Sequence, residues 1–334
     1  MRNTRDFLHN TAKDLVLKRI KSERDLVAAY MIGSVLSDDP LLGGTTDIDL
    51  VLIHAGESKT KREIVRVNDE IHLDVIHHCQ SDYNQPRELR MNAWMGTAIQ
   101  NHPALLYDVR HWFEFTQASV GAQFYRADHI VSRARGLCEK ARTIWVELHE
   151  GRPTYVKKIR KYLEAVECAG NAVASITGSP ISRRRFLWEF PAACEEIGSP
   201  GLSAGLVNLL NLQSLSRESI TAFLPEWEKA FRSAGEQTET SPDLHPLRLV
   251  YYKQAINEYM EEGDLQASAY PLIYTWAKAV SYLYATSPEY IAWYDFLKDM
   301  GMGKEQLPDK FQALDAYLDH VEEVLEGWAS KEGA

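Results

Sequence analysis

The chain has 334 residues, 45% of them hydrophobic and 25% charged, with a formal net charge of −10 at pH 7. This balance is typical of a globular protein and excludes wholesale disorder, a collagen-like fibre and a disulfide-stapled mini-protein. At roughly 150 residues per domain, the length predicts two domains. The acidic balance argues against a broad surface for duplex nucleic acid, although it is compatible with a local basic pocket.

The four cysteines, Cys79, Cys138, Cys168 and Cys194, lie far apart in the sequence and are expected to be reduced, mostly buried thiols. No apolar segment of the kind found in signal peptides follows the basic N-terminus. The longest apolar run, 26–36, is too short to cross a bilayer. These features predict a cytoplasmic protein that does not associate with a membrane.

The first hundred residues combine one predicted helix, from about Arg5 to Lys21, with several strand-like segments. The segments with β-branched content or two-residue alternation are 26–32, 47–53, 62–67 and 71–76. The last two flank a short polar turn, so we expect them to form an antiparallel hairpin. The sequence therefore predicts an α/β (α+β) N-terminal domain with a mixed sheet, assigned to residues 1–112.

From Pro86 onward the pattern becomes helical, beginning with a predicted helix from Pro86 to about Gln100. Further helical periodicity is found at 122–150, 154–177, 182–197, 203–214, 247–261, 271–285 and 305–328. Short Gly- and Pro-containing breaks separate these stretches, as in a helical bundle. The segment 113–334 is therefore predicted to be an all-helical bundle domain.

Three aspartates of the N-terminal domain have the spacing of a metal site. Asp47 and Asp49 are two residues apart on a predicted strand, so their side chains project from one face while Ile48 turns to the other. Asp74 lies on a later strand and joins that face if the two strands pair. Converging carboxylates repel one another unless a cation neutralises them, and three of them suit Mg²⁺. Such a site can hold two ions about 4 Å apart.

Gly33 and Ser34 follow the first strand and precede this pair of aspartates. A glycine at the end of a strand lets backbone N–H groups approach a phosphate closely, and the Ser34 hydroxyl can donate to the same anion. Together with the aspartates, this pair predicts a site for a metal-bound phosphate compound.

Gly33-Ser34, the twelve-residue gap, Asp47-Ile48-Asp49-Leu50 and Leu73-Asp74-Val75 resemble the signature of the DNA polymerase β-like nucleotidyltransferase superfamily. The resemblance implies that Asp47, Asp49 and Asp74 are catalytic and bind Mg²⁺. It also implies that Gly33 and Ser34 bind the nucleotide. Many members have an arginine soon after the Gly-Ser pair, whereas this chain has Leu36-Ser37-Asp38.

A second set of residues is similar to the aminoglycoside adenylyltransferases of the streptomycin and spectinomycin type. It comprises 86–89, Trp94, and Thr177-Gly178 followed by Arg183. This similarity implies ATP as donor, AMP transfer to a hydroxyl of a small aminoglycoside-like acceptor, and release of pyrophosphate. It also implies that the helical domain 113–334 binds the acceptor and closes over it as a lid. In that family a lysine after the Thr-Gly element helps to bind the nucleotide phosphates, and Arg183 is the nearest match here.

Several roles stay open at this point. Asp74 can bind metal, act as general base for the acceptor hydroxyl, or do both, and Glu88 is an alternative base. Arg183 to Arg185 can grip a triphosphate or form the exposed first turn of a helix. The basic run 157–161 is interpreted as a solvated helix face rather than as a binding surface for a polymer.

The sequence allows two other hypotheses, a zinc site and a non-catalytic function. His72, His77, His78 and Cys79 fit no familiar zinc spacing, and the adjacent histidines are expected to point to opposite faces of their strand. The alternative function is a non-catalytic nucleotide-sensing or partner-binding protein, with an antitoxin-like or regulatory role. An intact set of three aspartates favours the enzyme.

Overall fold

A computed structural model describes residues 4–237 and 240–334, which form two compact units, Met1–His129 and Ile130–Ala334. The first unit contains a mixed five-stranded sheet in the order β3-β4-β2-β1-β5. The strands are β1 (Leu26–Ile32), β2 (Thr46–His54), β3 (Arg62–Arg66), β4 (Ile71–Cys79) and β5 (Ala104–Asp108). The pair β2·β4 is parallel, and the other pairs are antiparallel. The predicted α/β N-terminal domain with a mixed sheet is confirmed.

Helices cover both faces of this sheet. They are α1 (Arg5–Ser22), α2 (Pro86–Met91), α3 (Met95–Gln100) and α4 (Trp112–Gly121). On one face, Leu8, Ala12 and Val16 of α1 pack against alternate residues of β1, β2 and β4. On the other face, residues of α2, α3 and α4 pack against the intervening residues of β1 and β2. Because both faces are covered, β1 from Leu26 to Ile32 and the second half of β2 from Leu50 to Ile53 are continuously apolar.

The predicted hairpin is confirmed as β3 and β4, which pair in antiparallel register from Arg62↔Ile76 to Arg66↔His72. Asn68 closes the turn, because its Oδ1 accepts hydrogen bonds from the backbone N–H groups of Glu70 and Ile71. This local side-chain acceptor is the reason why the chain reverses here.

Two expectations for the segment after Pro86 need correction. The single helix predicted from Pro86 to Gln100 is two short helices, because the Asn92 side chain accepts hydrogen bonds from Trp94 and Met95 and starts α3 as a separate helix. The chain is also not helical throughout, since 104–108 forms β5 along the outer edge of β1. This segment becomes a strand because the edge of β1 supplies partners for its backbone groups.

The second unit is helical, which confirms the predicted all-helical region. Its helices are α5 (Ala127–Glu150), α6 (Tyr155–Thr177), α7 (Phe186–Glu196), α8 (Gly201–Leu209), α9 (Arg217–Gly235), α10 (Arg248–Glu262), α11 (Leu265–Val280), α12 (Pro288–Asp299) and α13 (Leu307–Glu332). Most residues of α6 and α11 are buried, so these two helices form the centre of the unit. In the described part of the chain, no helix is long and apolar enough to cross a membrane.

Candidate metal centre

Two parallel strands bring the three predicted aspartates together. In the register of β2 and β4, Asp49 lies opposite Asp74, and Asp47 lies opposite His72. Ile48 and Leu50 point into the core beneath α1, whereas Val51 contacts the core on the opposite face, so the predicted alternation is confirmed. One carboxylate oxygen from each of Asp47, Asp49 and Asp74 lies within 4.8 Å of those of the other two.

The burial of the three aspartates decreases toward one side of the site. Asp74 is 0% exposed and Asp47 is 6% exposed, whereas Asp49 is half-buried. Burial of like charges this close together is unfavourable without compensation. The site therefore needs positive charge, and solvent reaches it on the side of Asp49.

Arg62 supplies part of that charge. Its Nε donates to Oδ1 of Asp74 at 2.7 Å, and a terminal nitrogen donates to Oδ2 at 2.5 Å. This is a bidentate guanidinium–carboxylate pair, which fixes the plane of the Asp74 carboxylate. Sequence reasoning missed Arg62, because its approach depends on the register of β3 against β4.

The remaining donors fit a hard divalent cation. The Arg62 guanidinium and the three aspartate carboxylates together carry a net charge of −2. Each carboxylate oxygen has two lone pairs, so the Arg62 hydrogen bonds leave Asp74 able to bind metal. Oxygen-only donors select Mg²⁺, Mn²⁺ or Ca²⁺ rather than zinc or copper. Asp47, Asp49 and Asp74 are therefore the residues that would hold an ion.

Gly33 lies directly against this triad. Ile32, the last residue of β1, pairs with Asp49, so the next residue along the chain passes over the Asp49 carboxylate. Gly33 has a φ of +80°, and a Cβ placed on it would lie 2.3 Å from Oδ2 of Asp49. Both the backbone conformation and the lack of space require glycine. Ser34, which is half-buried, follows as the first residue of a single 3₁₀ turn.

Arg183 lies in the second unit and has its own set of partners. Its Nε donates to Glu167 at 2.8 Å, a terminal nitrogen is 3.7 Å from Asp243, and its guanidinium lies over the Tyr274 ring. Burial disfavours the charge, but Glu167, Tyr274 and Asp243 together raise the pKa of Arg183. Arg184 stacks instead on Tyr251 and Arg185 on Trp188, so the three arginines contact different aromatic rings.

The other polar candidates named from sequence are Glu88 and the histidines of β4, of which His72 lies opposite Asp47 in the strand register. Glu88 is exposed on α2. His77 contacts His54 and Glu63, while His78 bonds to the Tyr83 hydroxyl, which confirms that the adjacent histidines point to opposite faces. Burial is the main cause of a lowered pKa for His78, so its imidazole is stabilised in the neutral form.

Comparisons with known proteins give little further information. No protein-family model matches the chain, and no curated protein matches it. Among solved structures, it is similar to a nucleotidyltransferase-like protein from Exiguobacterium sibiricum 255-15. The two are 9% identical, and the superposition covers 93% of this chain and 89% of that chain with a TM-score of 0.30. These values do not establish a common fold, so the case for function depends on the residues of the site.

Proposed function

We propose that the protein is a Mg²⁺-dependent nucleotidyltransferase that moves AMP from ATP to a hydroxyl group of a small molecule and releases pyrophosphate. The observation that carries this proposal is the triad itself. Asp47, Asp49 and Asp74 come from two paired parallel strands, and their oxygens lie within 4.8 Å of one another. Gly33 lies directly against the Asp49 carboxylate, which places the Gly33-Ser34 turn beside the triad.

In the proposed reaction the acceptor hydroxyl oxygen attacks the α-phosphorus in line and its proton passes to solvent water. The bond from that phosphorus to the bridging oxygen breaks, and pyrophosphate leaves. Bound Mg²⁺ would neutralise the phosphate charge and lower the pKa of the attacking hydroxyl. The aspartates would hold the ion, and Gly33 and Ser34 would orient the phosphates. Catalysis would then depend mainly on positioning and on electrostatic stabilisation.

The surroundings of Asp74 support one of its two open roles. Its carboxylate is fully buried and held by both arms of the Arg62 guanidinium. Full burial keeps an incoming hydroxyl away from this carboxylate, whereas its fixed plane and remaining lone pairs suit an ion held between it and Asp49. We therefore assign Asp74 to metal binding. Arg183 as a ligand of the nucleotide phosphates, and an aminoglycoside-like acceptor, are parts of the proposal that only the family resemblance supports.

The test is thermal unfolding with ATP, GTP, CTP and UTP, each with Mg²⁺ and with chelator. A ligand at 100 times its Kd adds about 2.7 kcal/mol, which at about 4–8 °C per kcal/mol raises Tm by about 11–22 °C for a domain of 60–100 residues. We expect a Mg²⁺-dependent rise with ATP in the wild type and none in Asp49→Asn. Asp39→Asn, which changes an exposed aspartate of the same unit, should behave like the wild type.

Release of pyrophosphate with hydroxyl acceptors separates the two functional classes. Mg²⁺-dependent ATP binding that Asp49→Asn abolishes, together with acceptor-dependent pyrophosphate release, supports the enzyme. Binding without release across an acceptor screen would favour the nucleotide-sensing alternative. The proposal is wrong if Asp49→Asn leaves both binding and release unchanged.

A further inference from the structure

The second unit contains a cavity of about 640 Å³ between α6 and the C-terminal half of α11. Its basic lining residues are Lys157, Arg160, Lys161, Arg183 and Lys278. The first three are spaced at i, i+3 and i+4 along α6, so they lie on one face of that helix. Lys157 and Arg160 are exposed, as the interpretation of a solvated helix face predicts, and they also line this cavity.

The carboxylates of the cavity do not balance these cations. Asp243 lies within ion-pair distance of Arg183, Arg248 and Lys278, and Glu167 pairs with Arg183 as well. Lys161 pairs with Glu147, and the lining residue Glu164 pairs with Lys140. In residues 4–237 and 240–334, no carboxylate oxygen lies within 4.0 Å of Lys157 or Arg160, although Arg160 donates to the Ser281 hydroxyl at 3.2 Å.

The crowding of cations affects their protonation. Lys278 is largely buried, with 13% of its side chain exposed. Burial lowers the pKa of its ammonium; Asp243 opposes this, and the nearby charges of Arg183 and Arg160 lower the pKa further. A bound anion would offset this repulsion in the way that a carboxylate does.

We propose that this cavity binds a small molecule through a phosphate or short polyphosphate group. Its volume is in the range of small-molecule sites, which is about 300–1,000 Å³. Arg160 and Arg183 offer planar guanidinium donors, and Lys157 and Lys161 offer ammonium donors, which is the combination that recognises phosphate oxygens. Tyr274, whose ring lies under Arg183, holds that guanidinium in place.

This inference does not depend on the triad, because none of its residues belongs to it, but it shares Arg183 with the proposed nucleotide site. It does bear on the acceptor. A cationic aminoglycoside would be repelled by these side chains, whereas a phosphorylated compound would be attracted. If the second unit selects the acceptor, the acceptor is an anion.

The test is calorimetric titration of the full chain with sodium tripolyphosphate, pyrophosphate and inorganic phosphate, in chelator and without Mg²⁺. We expect saturable binding that weakens as salt is added. In Lys157→Ala/Arg160→Ala the affinity should fall at least about tenfold, since one charge-assisted hydrogen bond is worth about 1.5–3 kcal/mol. Both residues are exposed, so the double variant is expected to fold.

Lys158→Ala is the matched control, because Lys158 is on the same helix but does not line the cavity. It should bind tripolyphosphate like the wild type, and so should Asp49→Asn. The inference is overturned if none of the three anions binds saturably at millimolar concentration, or if the double variant binds them normally. Loss of binding in Asp49→Asn would also overturn it, because the anion would then occupy the triad.

Discussion

Gly33 is the residue on which the geometry of the metal centre depends most directly. The carboxylate of Asp49 occupies the space that a side chain at position 33 would need, and the backbone there has a positive φ. Gly44, in the loop before β2, also has a positive φ, of +71°, but a Cβ on it would contact nothing within 4 Å. These two glycines therefore separate backbone strain from displacement of the carboxylate.

We predict that Gly44→Ala loses about 1–2 kcal/mol from its positive φ. Gly33→Ala should lose more, up to about 3 kcal/mol from the backbone alone, because a φ of +80° with a ψ of −163° lies in a region essentially confined to glycine. Only Gly33→Ala should also weaken Mg²⁺-dependent ATP binding, by about tenfold or more, because Asp49 must move. Chemical denaturation measures the first effect and calorimetry the second. Equal ATP affinity in the two variants would show that Asp49 tolerates the displacement.

Among the secondary-structure elements, β3 has a role beyond extending the sheet. It is an edge strand, yet its Arg62 pairs with Asp74, which is fully buried on the neighbouring strand β4. The same strand carries a second arginine, Arg66, whose partner Asp69 is in the exposed turn. One arginine of the strand therefore compensates a buried charge, and the other pairs at the surface, where ion pairs contribute little.

We predict that Arg62→Gln costs about 1–3 kcal/mol of unfolding free energy in chelator, because it leaves the buried Asp74 uncompensated. Mg²⁺ should restore part of this loss, so the Tm difference between Mg²⁺ and chelator should be larger in Arg62→Gln than in the wild type. Arg66→Gln should leave that difference unchanged. If Mg²⁺ raises Tm equally in all three proteins, the ion does not bind at Asp74.

The sequence was sufficient to find the triad but not its compensating charge. Asp47 and Asp49 follow from two-residue periodicity, and Asp74 follows once its strand is placed beside theirs. Arg62 is not predictable in this way, because its contact depends on the register of the hairpin rather than on spacing along the chain.

At the level of elements, the sequence failed where local signals were weak or overlooked. β5 is rich in leucine, which has no strong strand preference, and it became a strand only because β1 had a free edge. The helices α9 and α12 were not predicted, although Ser216 and Ser287 cap them by accepting from the backbone N–H groups of Ser219 and Tyr290. Serine is a preferred N-cap residue, so both helix starts are predictable from the sequence.

The whole molecule consists of two units with different chemistry. The first carries an acidic site built from strands, and the second carries a basic cavity built from helices. The net charge of −10 is that of the whole chain and describes neither the acidic site nor the basic cavity. The chain is therefore expected to respond to two kinds of ligand, and the responses are expected in different segments.

We predict that ATP with Mg²⁺ slows amide hydrogen exchange in peptides from β2 and β4, whereas tripolyphosphate in chelator slows it in peptides from α6 and α11. Ligand binding suppresses the local openings through which amides exchange, so protection marks the segments that hold the ligand. Mass spectrometry of peptic fragments measures both patterns. Protection of the same peptides by both ligands would mean that there is one anion site rather than two.

The parallel pairing of β2 and β4 also determines which insertions and deletions natural variants of this chain can tolerate. The connection at 56–60 lies outside both strands, and doubling the length of such a loop costs only about 0.6 kcal/mol. A single-residue deletion inside β2 between Asp47 and Asp49, or inside β4 before Asp74, would instead turn one aspartate to the face beneath α1. Length variation among natural relatives should therefore accumulate at 56–60 and be absent from 47–49 and 71–74, even where the amino acids between the aspartates differ.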